Sequence, residues 1–202
     1  MFNKEYTIEK VGGHNVYVFD NFYDQPNKIF ELLVSNEPFK HKQYDGETYN
    51  GKKFLDLRHE LRYEPINEIV THFELFTNQS CSHYSANFRT NLQKWFYDDF
   101  NDYKNNYWYP HYDQGYSLLV YFNEVNLLNL YDSKEDYNPD DIVEHMEPWQ
   151  DRRKFNLLKQ FRVPFNTAIL FPADKLLHGC GVEDTRFFET MRINQAIFFQ
   201  RN

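Results

Sequence analysis

Apolar residues recur along this chain with two periods, and the change between them divides it. Near the start, Tyr6 to Glu9 and Val16 to Phe19 read as short strands around the turn signal Gly12-Gly13-His14-Asn15. Asp24 offers an N-cap with Pro26 in the first turn, and Ile29, Phe30, Leu32 and Leu33 form a helical stripe. The polar stretch from 40 to 52, with Asp45-Gly46 and Asn50-Gly51, predicts a surface loop or hairpin. Pro65 opens a second helix carrying Ile66, Ile69, Val70 and Phe73 on one side.

From Ser85 onward the period falls to two. Ala86, Phe88, Thr90 and Leu92 alternate with polar residues, and Leu118 to Phe122 and Leu127 to Tyr131 read as further strands. Phe161 to Val163, Thr167 to Phe171 and Arg192 to Phe199 make the last forty residues the clearest β region. Between them, residues 141 to 160 read as an insert of helix and loop. No repeat or linker interrupts residues 1–202, so one domain is expected. A helical N-terminal third followed by many short strands predicts an α+β, mainly β fold around an antiparallel sandwich or barrel.

Composition narrows the function classes. Aromatic residues make up 19% of the chain against only 7 Gly, which excludes disorder. A net charge of −8 opposes non-specific binding to polyanions, so nucleic acid is an unlikely partner and an anionic membrane a poor one. The basic run Arg152-Arg153-Lys154, with Lys159 and Arg162, reads as a solvated helical face in the insert rather than a substrate patch. Two Cys, Cys81 and Cys180, provide no disulfide framework, and neither a signal core nor a membrane-spanning run is present. A soluble, cytoplasmic setting is expected.

Chemistry concentrates in Trp108-Tyr109-Pro110-His111-Tyr112-Asp113. His111 and Asp113 are one strand period apart, so on an extended chain both side chains leave one face and can share a metal ion. An isolated His-x-Asp is weak evidence, but His178 follows an apolar strand 65 residues beyond Asp113, flanked by glycine. Two imidazoles and one carboxylate on one face of ferrous iron leave three positions open for a chelating co-substrate and dioxygen. Arg192 opens an otherwise apolar and amide strand, and a buried guanidinium requires an anion. Tyr121, on the strand leaving the His-x-Asp, offers the same anion a hydroxyl or is an ordinary core tyrosine.

The series His111-x-Asp113, Leu119-Val120-Tyr121-Phe122-Asn123, Asn129-Leu130-Tyr131, Thr167-Ala168-Ile169-Leu170-Phe171-Pro172, His178-Gly179-Cys180 and Arg192 resembles the iron(II)/2-oxoglutarate-dependent dioxygenases. Within them it looks most like the prolyl-4-hydroxylase-like branch of phages and bacteria, whose usual opening is similar to Tyr17 to Tyr23 followed by a helix. The resemblance implies a double-stranded β-helix of jelly-roll or cupin type, with N-terminal helices packed on the sheet. It implies Fe(II) held by His111, Asp113 and His178, and 2-oxoglutarate bound through Arg192 and Tyr121, with ascorbate as a helpful reductant. Decarboxylation to succinate would then accompany hydroxylation of a peptide side chain or small molecule by dioxygen.

Arg192 lies fourteen residues beyond His178, a longer spacing than usual in this branch, which leaves Arg186 as a second candidate. Leu127-Leu128 stands where many members have a Gly-rich turn. The resemblance also makes residues 132 to 160 a candidate lid or insert. Tyr109, Tyr112 and Tyr116 flank the proposed site and either contact substrate or pack in the core. His72-x-Glu74 and His145-x-Glu147 repeat the local spacing, the first on a helix where positions two apart diverge. Two other readings use the same residues: a catalytically silent β-helix that binds a ligand, and a zinc hydrolase.

Overall fold

The computed structural model describes residues 2–35, 39–42, 48–55, 64–81, 83–90, 102–124, 126–134, 149–183 and 191–199. The fold is mainly β, with two antiparallel sheets and two α-helices among these residues. The larger sheet runs β1 (Thr7–Val11), β2 (His14–Phe19), β11 (Thr167–Pro172), β7 (Tyr116–Tyr121), β13 (Met191–Phe199), β5 (His83–Thr90), β4 (Thr48–Leu55) and β3 (Phe39–Lys42). The smaller runs β10 (Phe155–Arg162), β8 (Leu127–Ser133), β12 (Leu177–Cys180), β6 (Asn106–His111) and β9 (Trp149–Asp151). The helices are α1 (Pro26–Ser35) and α2 (Glu64–Thr77). Neither is long and apolar enough to cross a membrane.

Strand alternation builds the core in layers. On β7, Leu118 and Val120 pack toward one side with Ala168 and Leu170 of β11 and Ile193 and Ile197 of β13. Ile29 of α1 and Ile66, Ile69 and Phe73 of α2 cover that side. Leu119 and Tyr121 point the other way, with Ile169, Phe171 and Ala196, onto Leu128 and Leu130 of the smaller sheet. The period of two therefore sends one row of each central strand to the helices and the other into the space between the sheets.

A third cluster, Tyr131, Phe155 and Leu177 with Tyr107 and Tyr112, covers the smaller sheet's far face. Tyr131 and Leu177 stand one residue from Leu130 and His178, which the same alternation turns inward.

The segment from 149 to 160 is not the helix and loop that its sequence predicts. Trp149–Asp151 pairs with β6, a single 3-10 turn follows at Arg152–Lys154, and Phe155–Arg162 pairs along the whole of β8. The apparent helical pattern is that of an edge strand, buried at Phe155 and Phe161 but exposed or half-buried between them. Residues 135–148 lie outside the described residues.

The basic run accordingly forms no helical face. Arg152 donates to the Tyr103 and Asn106 carbonyls, Arg153 pairs with Asp151, Lys159 lies 2.6 Å from Glu9, and Arg162 lies 2.6 Å from Glu183.

Candidate metal centre

Two turns of chain bring the site together. The first leaves β6 at His111. In β6 the register shifts: His111 faces His178, whereas Trp108 faces Cys180, so three residues on β6 span two on β12. This bulge contains Pro110, whose missing N–H makes it a poor ladder residue. The extra residue turns Trp108 and His111 to one face, and that is the inner face of His178.

Past the strand end, the Asp113 amide donates to the Ala173 carbonyl at 3.1 Å, and the Asp174 amide donates to the Gly115 carbonyl at 3.0 Å. Gly115 adopts φ +72°, and a Cβ there would stand 2.0 Å from the Phe199 carbonyl oxygen. The Asp113 loop is thus fastened to the end of β11 and seated on the end of β13.

The second turn joins β11 to β12, with the Lys175 and Leu176 amides both donating to the Pro172 carbonyl. It delivers His178 to the strand between β6 and β8. His178 is buried, with its ring 4.9 Å from Phe171 and 4.2 Å from the ring of His111. Its Nδ1 lies 3.4 Å from the Leu176 carbonyl, an acceptor for the Nδ1 proton when Nε2 is engaged.

His178 Nε2 lies 3.1 Å, and His111 Nε2 3.9 Å, from the same oxygen, Asp113 Oδ2. Among the described residues these three form a group whose donor atoms all lie within 4.8 Å of one another. Two donors at right angles, each roughly 2.1 Å from a common ion, stand about 3 Å apart, so this donor set fits a first-row divalent cation. His111 and Asp113 keep about a quarter of their side-chain surface, which leaves one side of the group accessible.

Burial alone would raise the Asp113 pKa. The hydrogen bond from His178 and the charges of His111 and His178 outweigh it, with help from Ser117, and hold the carboxyl well below the usual range.

Tyr121 lies fully buried on the inner row of β7, and its cross-strand partner on β13 is Asn194. Asn194 is also buried, and its Oδ1 has no hydrogen-bond partner among the described residues. Arg192, two residues earlier, stands opposite Arg89 of β5 and shares the strand parity of Asn194 and Ala196; it is described by backbone position alone. Arg186 lies outside the described residues.

The flanking tyrosines diverge. Tyr112 packs with Tyr131, Phe155 and Leu177 on the far face, where burial and then Asp132 raise its pKa. Tyr116 packs against the helix-side core. Tyr109 is described only as a position on β6.

His72 sits among Phe2, Phe73 and Phe76, burial lowers its pKa, and Glu74 accepts from the Cys81 amide instead of facing it. His145 and Glu147 lie outside the described residues. Cys180 is a buried thiol whose cross-strand partners are Trp108 and Leu128.

Sequence reasoning missed two residues, Asn194 and Ser117. A buried amide on a strand as apolar as Ile193 to Phe199 was the available signal for the first. Ser117 is fully buried, and its Oγ donates to Asp113 Oδ2 at 3.2 Å.

No family model matches the chain, and no curated protein matches it. Among solved structures the chain is similar to the X-ray structure of E. coli ycfD, at 12% sequence identity and a TM-score of 0.49. That match covers all of this chain but only 51% of the other, so the chain spans about half its length.

Proposed function

We propose that this protein is a non-haem iron(II) and 2-oxoglutarate-dependent oxygenase of the prolyl-4-hydroxylase-like type, built on a double-stranded β-helix. The observation that carries the reading is the convergence of His111 at the end of β6, Asp113 just beyond it, and His178, 65 residues after Asp113. The path of the chain supports the fold reading: β6, β8 and β12 lie in the smaller sheet, while β7, β11 and β13, which alternate with them along the chain, lie in the larger.

His111, Asp113 and His178 would hold the iron and leave its remaining positions facing the accessible side. Tyr121 and Asn194 would receive 2-oxoglutarate between the sheets, with Arg192 on the same strand as the cation for its distal carboxylate. Bound together, iron and 2-oxoglutarate supply the oxidising chemistry: dioxygen is reduced, 2-oxoglutarate is decarboxylated to succinate, and a substrate C–H bond is hydroxylated. Leu119, Ile169, Phe171 and Ala196, buried together between the sheets, would supply apolar walls that exclude water. A peptide side chain or small molecule would approach past the part-exposed His111 and Asp113.

The deciding experiment measures succinate formed from 2-oxoglutarate under air, with ferrous iron and ascorbate, for the wild type and His178→Ala. Succinate from the wild type alone supports the reading. If neither forms succinate while the wild type still binds iron, the silent β-helix takes its place. Ester or phosphoester cleavage with zinc would favour the hydrolase.

A further inference from the structure

Ser117 begins the inner row of β7, two residues before Leu119 and four before Tyr121, and its side chain is fully buried. A hydroxyl removed from water needs a partner, and among the described residues that partner is Asp113 Oδ2 at 3.2 Å. That oxygen is also the one facing both imidazoles, at 3.1 and 3.9 Å. The Asp113 amide is fixed by Ala173, and Gly115 is pressed against Phe199, so the backbone settles where the carboxylate begins. It does not settle how the carboxylate turns about its last bond. Among the described residues, Ser117 is the one group outside the ligand set that hydrogen-bonds to Oδ2.

We propose that Ser117 is a positioning residue of the metal centre. By donating to Asp113 Oδ2 it fixes the rotation of the carboxylate, so that Asp113 reaches the cation through a single oxygen and the far coordination positions stay open. A carboxylate free to turn would swing both oxygens onto the ion and close one of them. The inference rests on the metal-centre reading above, and it concerns how the cation is held rather than what reaction follows.

The test titrates cobalt(II), under argon, into the full chain as wild type, Ser117→Ala, Ser117→Thr and His178→Ala. Ser117→Ala is expected to bind cobalt about 10- to 100-fold more weakly, the range typical of losing an outer-shell partner. Its visible cobalt bands should shift, and the separation of its infrared carboxylate stretches should narrow as coordination becomes bidentate. Ser117→Thr, which keeps the hydroxyl, should restore the bands.

Cobalt binding by the wild type no tighter than by His178→Ala would remove the metal centre and the proposal with it. Wild-type binding that Ser117→Ala matches in affinity and spectrum would overturn the positioning role and leave the centre intact. Should Ser117→Ala not fold, the wild-type cobalt form decides: stretches of a monodentate carboxylate support the proposal, and those of a bidentate one refute it.

Discussion

His111 and His178 face each other across antiparallel β6 and β12, with ring centroids 4.2 Å apart. Neither neighbour in sequence nor a shared turn brings them together; the register of the smaller sheet does. Both imidazoles should be needed for a cation to bind. His111→Ala and His178→Ala are each expected to weaken cobalt or iron binding beyond the ~10–100-fold that loss of an outer-shell partner produces. His145→Ala should leave it unchanged, as read by calorimetry under argon. A comparable loss from His145→Ala would move the centre elsewhere.

On the proposed reading, Arg192 and Arg186 are the two candidates for the co-substrate carboxylate. Leaving one partner of a buried charge pair uncompensated costs about 2–5 kcal/mol, and each ~1.4 kcal/mol is tenfold. Arg192→Leu should therefore raise the KM for 2-oxoglutarate by roughly 30-fold or more, with Arg186→Leu close to wild type. The opposite ranking in succinate assays would hand the role to Arg186.

Gly115 and Gly13 both carry positive φ, at +72° and +83°, but in different surroundings. A methyl group at 115 would meet the Phe199 carbonyl, whereas at 13 nothing among the described residues lies within 4 Å. Gly13→Ala should cost only the backbone strain, about 1–2 kcal/mol. Gly115→Ala adds a clash and should cost about 2–5 kcal/mol in urea unfolding, with weakened metal binding because the Asp113 loop must shift. Equal losses in the two variants would show that the contact with Phe199 does not constrain the loop.

Tyr131 is buried, and that burial raises its phenol above the ordinary value of 10.0 despite the hydrogen bond donated by Asn129 at 2.9 Å. The folded chain therefore holds this proton at a pH where the unfolded chain has lost it. Its contribution is fully present below pH 10 and declines as pH rises beyond it, by up to ~1.4 kcal/mol per pH unit. Tyr131→Phe should flatten the alkaline slope of stability, which denaturant midpoints at about pH 9 and pH 11 would reveal. An unchanged slope would mean that this phenol ionises as readily folded as unfolded.

Much of this architecture was legible because its signals are local. Leu118 to Phe122 and Thr167 to Phe171 carry their strand character in their own residues, and Pro26 and Pro65 mark the two helices. His111, Asp113 and His178 were legible through residue type and order. What the sequence concealed depends on pairing between distant segments. Leu157 and Leu158 beside Lys159 imitate a helical face, yet β10 is a strand because β8 lies alongside it. Tyr112 and Tyr116 stand next to the ligands in sequence, but alternation and the strand end send them to opposite outer layers. Ser117 looks like an ordinary strand opener until the fold sets Asp113 beside it.

The bulge in β6 makes the centre a matter of counting. Trp108 and His111 share a face only because one surplus residue lies between Cys180's partner and His178's. Deleting a single residue from Tyr109-Pro110 would restore an unbroken ladder and turn His111 toward the aromatic far face, leaving His178 and Asp113 without their third member. Chain length there is consequently as much a determinant of the site as the identity of its ligands, and shortening by one residue should be more damaging than most substitutions in the same stretch.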